Sequence, residues 1–194
     1  MNGLWQMWEA GLDEPSIKEI NTLAERFPLE EGVTGHNLDP NVGKNEKVRT
    51  SKVRWIDKKH PDSIALVQML HRLFEQANNA AFGVDWRYIN DIQHTLYEAR
   101  DKGHYDFHMD TFFEAPVKLH RKLSMTIQLS DDNDYEGGDF IFQKNLVSEP
   151  PDSKKLRAKG TVLIFPSFLP HAVTPVTKGE RKSLVVWADG PEWK

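Results

Sequence analysis

The chain changes its hydrophobic period once, near Gly83. Before that point apolar residues recur at three- and four-residue intervals, the spacing of amphipathic helices. Ile17, Ile20, Leu23 and Ala24 mark one helix, opened by Glu14-Pro15-Ser16, running to about Phe27 and stopped by Pro28. Ile64, Leu66, Val67, Leu70, Leu73 and Phe74 form the stripe of a second, from Pro61-Asp62-Ser63 to about Ala81. Leu4 to Gly11 reads as a short aromatic strand or cap anchored by Trp5 and Trp8. Residues 30–47 are polar, with three glycines and the turn signal Asp39-Pro40-Asn41, and predict a loop. Arg49 to Ile56 then alternates as a strand.

Beyond Gly83 the period is two. Strands are expected at Tyr88–Glu98, His104–Met109, Lys122–Leu129, Asp139–Gln143, Thr161–Phe165, His171–Val176 and Arg181–Ala188. Asp101-Lys102-Gly103, Asp131-Asp132-Asn133-Asp134, Gly137-Gly138, Lys159-Gly160 and Lys178-Gly179 punctuate them. Many short strands at regular spacing predict a sandwich or jelly roll, mainly β with supporting α, the amphipathic helices packed on one sheet. Residues 149–159, with Pro150-Pro151 and four basic residues, predict an exposed mobile loop. No repeat or linker divides the chain. One domain over residues 1–194 is expected, with helical support and edge strands in 1–84 and the jelly-roll core in 85–190.

Composition narrows the partners. At 39% hydrophobic and 28% charged, 194 residues can bury a substantial core. The formal net charge of -4 disfavours a nucleic-acid partner. No run approaches the roughly 20 apolar residues of a membrane helix. Residues 1–14 lack the basic and apolar regions of a secretory signal. With no cysteine, disulfides, thiolate zinc sites and cysteine nucleophiles are excluded. Together these predict a cytoplasmic protein.

The candidate chemistry centres on His108-Met109-Asp110. A histidine and a carboxylate two apart on a strand share a face and can grip one metal ion, given a third ligand. His171, 61 residues beyond Asp110, is the best candidate, and Arg181 follows ten later. Two histidines, a carboxylate and open positions suit non-haem Fe(II), and an arginine suits the far carboxylate of a 2-oxo acid. If Thr177-Lys178-Gly179 closed a hairpin with Gly179 left-handed, His171, Val173, Pro175 and Arg181 would share one face. Arg181 would then lie roughly 13 Å along from His171, at about 3.3 Å per residue. The bland alternative is a hydrogen-bonded His–Asp pair, an unrelated histidine and a surface arginine. His36, His60, His71, His94, His104 and His120 read as non-ligands, with His94 a possible support for Tyr97 or the site edge.

At these residues the sequence resembles the prolyl 4-hydroxylase-like branch of the Fe(II)/2-oxoglutarate dioxygenases, close to the PKHD-type hydroxylases. Three stretches carry the resemblance: Tyr97 through Gly103-His104-Tyr105-Asp106-Phe107-His108-Met109-Asp110, Lys122 to Ser130 with Tyr135 to Phe140, and Phe165-Pro166-Ser167 through His171 to Arg181. It implies a double-stranded β-helix, cupin-like, with iron held by His108, Asp110 and His171. It implies Arg181 on the distal carboxylate of 2-oxoglutarate, with polar contacts from Tyr97 and Gln128; many relatives carry tyrosine where Gln128 stands. It implies substrate contacts from Arg121, Trp187 and Arg49. Fe(II), 2-oxoglutarate and O2 would be required, with ascorbate as a reductant.

The resemblance also sorts the chemistries. Halogenases of this scaffold lack the carboxylate, whereas Asp110 is present, so hydroxylation is expected. Nucleic-acid demethylases carry a second arginine six after the first, where this chain has Trp187. A proline-containing peptide or protein, or a free amino acid, is the expected substrate, with prolyl 4-hydroxylation leading. Phe107, Phe140, Phe142 and Phe165 are candidate pocket walls. The rivals are a 2-oxoglutarate oxygenase acting on a small molecule or nucleic acid, a zinc or nickel cupin without oxygenase activity, which leaves Arg181 without a role, and a silent binding module.

Overall fold

A computed structural model describes residues 3–34, 47–111, 113 and 118–193. His36 and the turn signal at Asp39-Pro40-Asn41 lie outside the described residues.

Helix α1 (Glu14–Ala24) starts where Asp13 caps it, the carboxylate accepting from the Ser16 N–H at 3.0 Å, with Pro15 in the first turn. Its last turn tightens, Arg26 and Phe27 donating to carbonyls three residues back, so it closes just short of Phe27. Helix α2 (Ile64–Ala77) follows a short turn at Pro61–Ser63 and runs into a wide turn that Gly83 ends at φ +61°.

Strands β1 (Gln6–Trp8), β2 (Glu30–Glu31), β3 (Arg49–Thr50) and β4 (Lys52–Trp55) precede the alternating half. There follow β5 (Tyr88–Glu98), β6 (His104–His108), β7 (Leu119–Gln128), β8 (Tyr135–Gly137) and β9 (Phe140–Phe142). A one-turn helix α3 (Ser153–Arg157) leads to β10 (Val162–Pro166), β11 (His171–Val173) and β12 (Val176–Pro191).

These strands make two sheets, the jelly-roll arrangement that the alternation predicts. The large sheet runs β1-β10-β7-β12-β5-β4-β2, with β8 paired to the start of β12. The small sheet runs β3-β6-β11-β9. Alternation gives the large sheet two distinct faces. Ile92, Met125, Ile127, Ile164, Leu184 and Val186 bury one against Ile17, Ile20 and Leu23 of α1 and Leu66, Leu70 and Phe74 of α2. The opposite positions, including Gln93, Tyr97, Thr126, Arg181, Ser183 and Trp187, face the small sheet across a cavity. The helices therefore cover the large sheet from behind and leave its polar face toward the cavity.

Two expectations are corrected. His171 and Arg181 are not arms of one hairpin: β11 pairs with β6 and β9, whereas β12 pairs with β5, β7 and β8. Gly179 is left-handed at φ +67°, but it packs against the Asp134 carbonyl next to β8, because β12 begins at Val176 and has already crossed to the large sheet. Residues 149–159 are also not a free loop. Arg157 of α3 donates to the carbonyls of Gly137 (2.7 Å) and Tyr135 (2.9 Å), pairs with Asp139 at 2.8 Å, and lies over the Tyr135 ring. Among the described residues, no helix is long and apolar enough to cross a membrane.

Candidate active site

His108 ends β6 and His171 opens β11, and the two are register partners in the small sheet. Antiparallel partners share a face, so both imidazoles enter the gap between the sheets. Asp110 follows β6 by two residues and is fixed by its backbone N–H, which donates to the Ser167 carbonyl at 2.9 Å. Its Oδ1 lies 3.5 Å from His108 Nε2 and its Oδ2 3.5 Å from His171 Nε2. One ligand atom from each residue lies within 4.8 Å of the others, and no other such trio exists among the described residues.

This donor set fits a divalent metal. The Nδ1 of His108 is 2.8 Å from the Asp106 carbonyl, and that of His171 is 2.9 Å from the Leu169 carbonyl. A carbonyl only accepts, so each Nδ1 carries the proton and each Nε2 keeps its lone pair, aimed at the shared centre. Burial pushes the His171 imidazole down to about 4, against the pull of Asp110, which keeps it neutral. Burial acts to raise the Asp110 carboxyl, but His171 and His108 outweigh it and hold it well below the usual carboxylate range. Ser124 Oγ donates to Asp110 Oδ2 at 2.7 Å and lies 2.9 Å from Ser167 Oγ. Tyr105 stacks on His108 at 3.5 Å between ring centroids, and Phe140 and Phe165 pack on His171. The three ligands are thus oriented before any ion arrives.

The cavity holds about 700 Å³, in the range of small-molecule sites. Arg181 enters it from β12, in register with Tyr97 of β5, whose ring lies 5.6 Å from the guanidinium. Its residue is 4% exposed, yet its guanidinium makes no hydrogen bond or ion pair among the described residues. A buried cation without a counter-ion is unfavourable, so the position suits an anionic ligand. Room for the Arg181 stem comes from Gly138 at φ +63°, where an added Cβ would stand 3.1 Å from Arg181 Cδ.

Arg121, Trp187 and Arg49 all line the same cavity. Arg121 lies 3.9 Å over the Trp187 ring and pairs with Asp91 at 3.0 Å. Strict alternation from Ser124, Thr126 and Gln128 would send Arg121 to the helix side. A bulge between Leu123 and Arg121 turns it inward. Arg49 donates to Ser51 Oγ and the Val33 carbonyl, lies 4.7 Å over Tyr105, and leaves one buried nitrogen without a partner among the described residues. Gln128 is elsewhere: it sits in the wall beside Arg181, its Nε2 donating to Tyr135 Oη at 2.9 Å and its Oε1 unpartnered.

Other expectations shift. Phe140 and Phe165 are cavity walls; Phe142 is packed behind them in the core, and Phe107 is half exposed outside. His94 faces the helices rather than Tyr97, its Nε2 3.0 Å from Asn21 Oδ1 of α1. His60 accepts from the Asp62 N–H, His71 packs on Trp86, and His104 bonds the Lys102 carbonyl. His120 lines the cavity mouth without joining the trio. Ser124, Ser167, Tyr105 and Asp91 were not singled out from sequence. Ser124-x-Thr126-x-Gln128 is a polar row inside an otherwise apolar strand, which is a readable sign of a sheet face turned to a site. Asp91 carries no such sign.

Residues 92–189 match the family model described as the 2OG-Fe(II) oxygenase superfamily. A PKHD-type hydroxylase of Saccharophagus degradans is 40% identical over 73 residues, 38% of this chain and 30% of that protein. One from Shewanella oneidensis is 26% identical over 175 residues, 89% of this chain and 73% of that protein. The matches to the first two relatives span 30% and 37% of their lengths. Among solved structures, a Pseudomonas putida prolyl-4-hydroxylase superposes with TM-score 0.68 at 19% identity, over 96% of this chain and 92% of that one. A Trichoplax adhaerens prolyl hydroxylase, in complex with a hypoxia inducible factor oxygen degradation domain peptide fragment, gives 0.70 at 16%, over 97% and 84%.

Proposed function

The chain belongs to the 2OG-Fe(II) oxygenase superfamily, a family whose chemistry calls for Fe(II), 2-oxoglutarate and O2, and on that premise we propose that it is a hydroxylase of a peptide or amino-acid substrate. Prolyl 4-hydroxylation of a proline-containing peptide is the leading version, supported by the fold shared with prolyl hydroxylases, one of them bound to a peptide. Residues 85–190 form the catalytic unit in this reading and residues 1–84 its support.

When bound, Fe(II) and 2-oxoglutarate would supply the means to activate O2, the oxidant, one oxygen atom going into succinate as carbon dioxide leaves and the other into the substrate as C–H becomes C–OH. His108 and His171 offer neutral Nε2 donors and Asp110 the single negative charge. Ser124 and Ser167 hold that carboxylate in place. Arg181 receives the distal carboxylate of 2-oxoglutarate through its paired N–H groups, over the Tyr97 ring. Gln128 acts on the wall beside Arg181 rather than as a direct donor, since its one free atom is an acceptor and would repel a carboxylate. Trp187, Arg121 and Arg49 line the substrate side, and Phe140 and Phe165 keep water from the metal end. Ascorbate would serve as the reductant that keeps the metal ferrous.

The observation that carries the reading is the buried Arg181 guanidinium, without a counter-ion among the described residues, in the same cavity as a ready-made two-histidine, one-carboxylate trio. A zinc or nickel cupin would use the trio and leave that cation unexplained. Anaerobic titration with Fe(II) and 2-oxoglutarate is expected to produce the visible charge-transfer band of the chelate. Folded protein that gives no band disproves the reading. Succinate release with proline-containing peptides, against free proline and lysine, then selects the substrate class.

A further inference from the structure

The cavity has a second polar region that neither the trio nor Arg181 uses. It lies two residues past Trp187, where Asp189 of β12 stands in register with Tyr88 of β5 and Arg121 of β7. Asp189 is 6% exposed and lines the cavity, and its carboxylate has no hydrogen bond or ion pair among the described residues. The neighbouring cations are committed elsewhere. Arg121 is held by Asp91 and the Trp187 ring. Lys58 donates to the carbonyls of Ile89 and Asn90 and lies over Tyr88.

Gln93, on the same sheet face, repeats the pattern. It is 3% exposed and lines the cavity; its Nε2 donates to Thr95 Oγ1 at 2.6 Å, leaving Oε1 without a partner among the described residues. Buried acceptors without partners are uncommon in native proteins, and two in one cavity mark where a ligand donates. Burial pushes the Asp189 carboxyl up to about 6; Arg121 and Lys58 pull against that, and Asp91 adds to it. The charge is therefore poorly served until a cation arrives. Beside it Trp55, exposed at the cavity edge and packed on Trp187 at 6.3 Å between ring centroids, offers a face that suits a cation's alkyl stem.

We propose that this region is a specificity pocket for a cationic nitrogen of the substrate, an ammonium or guanidinium that pairs with Asp189 while a second substrate N–H donates to Gln93 Oε1. The proposal deepens the hydroxylase reading and rests on it. Gln93 is in register with Val185, four residues before Asp189 on β12, so the two backbone positions are spaced by roughly 13 Å along the strand at about 3.3 Å per residue. With a hydrogen bond of about 3 Å at each end, the two nitrogens of one extended basic residue can bridge such a separation. A peptidyl proline has no N–H to offer either acceptor. The basic group is thus a lysine or arginine side chain beside the reacting residue, or belongs to a free basic amino acid.

The test uses the full chain under argon with Fe(II) and 2-oxoglutarate, and calorimetric dissociation constants for two probe sets. One is acetyl-Gly-Pro-X-Gly-amide, with X lysine, norleucine or ε-acetyl-lysine; the other is free L-lysine, L-norleucine and ε-acetyl-L-lysine. In one set, lysine is expected to bind at least tenfold more tightly than either uncharged probe, and that set identifies the source of the cation. Asp189→Asn is expected to bring the ratio within threefold. Equal affinities for lysine and the uncharged probes in both sets overturn the proposal without needing any variant, as does a tenfold ratio that survives Asp189→Asn. The 2-oxoglutarate absorption band is a separate reading on the wild-type protein. Its absence removes the hydroxylase reading, whereas a normal band with no lysine preference removes only the pocket.

Discussion

At the scale of single residues, the site is built from groups whose usual partners are missing or are themselves committed. Among the described residues Arg181 has a tyrosine face and no carboxylate partner, so its replacement should cost ligand rather than fold. A charge-assisted hydrogen bond contributes roughly 1.5–3 kcal/mol, and Arg181 can form two to one carboxylate. Arg181→Ala is therefore expected to weaken 2-oxoglutarate at least tenfold while Fe(II) affinity stays within a fewfold, read by separate anaerobic titrations. Parallel loss of both would make Arg181 a structural residue. Ser124→Ala should show the reverse pattern. It removes the donor at 2.7 Å from Asp110, and loss of such a supporting bond typically costs about 10–100-fold in metal affinity. Fe(II) or Co(II) titration measures this, with far-UV circular dichroism as the control for folding.

At the scale of elements, α1 is tied to the back of the large sheet by a histidine that must stay neutral. His94 is 7% exposed and bonded to Asn21 of α1; burial, with Lys182 and Arg54, pushes it down to about 4 from 6.5. The unfolded chain takes up this proton below about pH 6.5 and the folded chain only near 4, so stability falls with pH through that window. At about 1.4 kcal/mol per pH unit, the loss attributable to His94 approaches about 3 kcal/mol. Asp189, raised to about 6, works oppositely, since the folded protein binds that proton first as pH falls. The measurement is therefore the difference in urea-unfolding free energy between wild type and His94→Gln, which should shrink steadily from pH 7 to pH 4. A difference independent of pH would mean that His94 is not buried neutral.

Element geometry also explains what could be read from the chain alone. Alternation identified the strands; the inward row Ser124-x-Thr126-x-Gln128 was not singled out, although a strand buried behind by helices shows its face in every second residue. The His108-Met109-Asp110 pair and the distant His171 were likewise legible as ligand types. Pairing partners were not. The hairpin of His171 with Arg181 failed because nothing local says that the chain changes sheets between Val173 and Val176. Bulges were invisible for the same reason, though one turns Arg121 and another, between Val186 and Ala188, resets β5 where Asp91 and Tyr88 reach the cavity. Asp189 was unreadable because its orphaned state depends on where Arg121 and Lys58 spend their hydrogen bonds.

At the scale of the whole molecule, the two sheets carry different halves of the site. The small sheet supplies His108 and His171, the large sheet Arg181, and the cavity separates them. The large sheet is braced by both helices, with Leu70 and Phe74 fully buried behind it, whereas the small sheet has four short strands and shows Phe107 and Ile141 to solvent. Its amides should therefore open at lower free energy. Metal alone would engage the end of β6, the loop after it and the start of β11; a dicarboxylate held at the metal and at Arg181 would join the sheets. Hydrogen exchange should then show β6 and β11 slowed modestly by Fe(II) and much more by Fe(II) with 2-oxoglutarate, while the centre of β7 stays slow throughout. Succinate with Fe(II) tests the link, since it lacks the 2-oxo group and should protect far less. Equal protection by succinate and 2-oxoglutarate would mean that Arg181 binds a carboxylate without reference to the metal, and the two sheets would then act as independent sites.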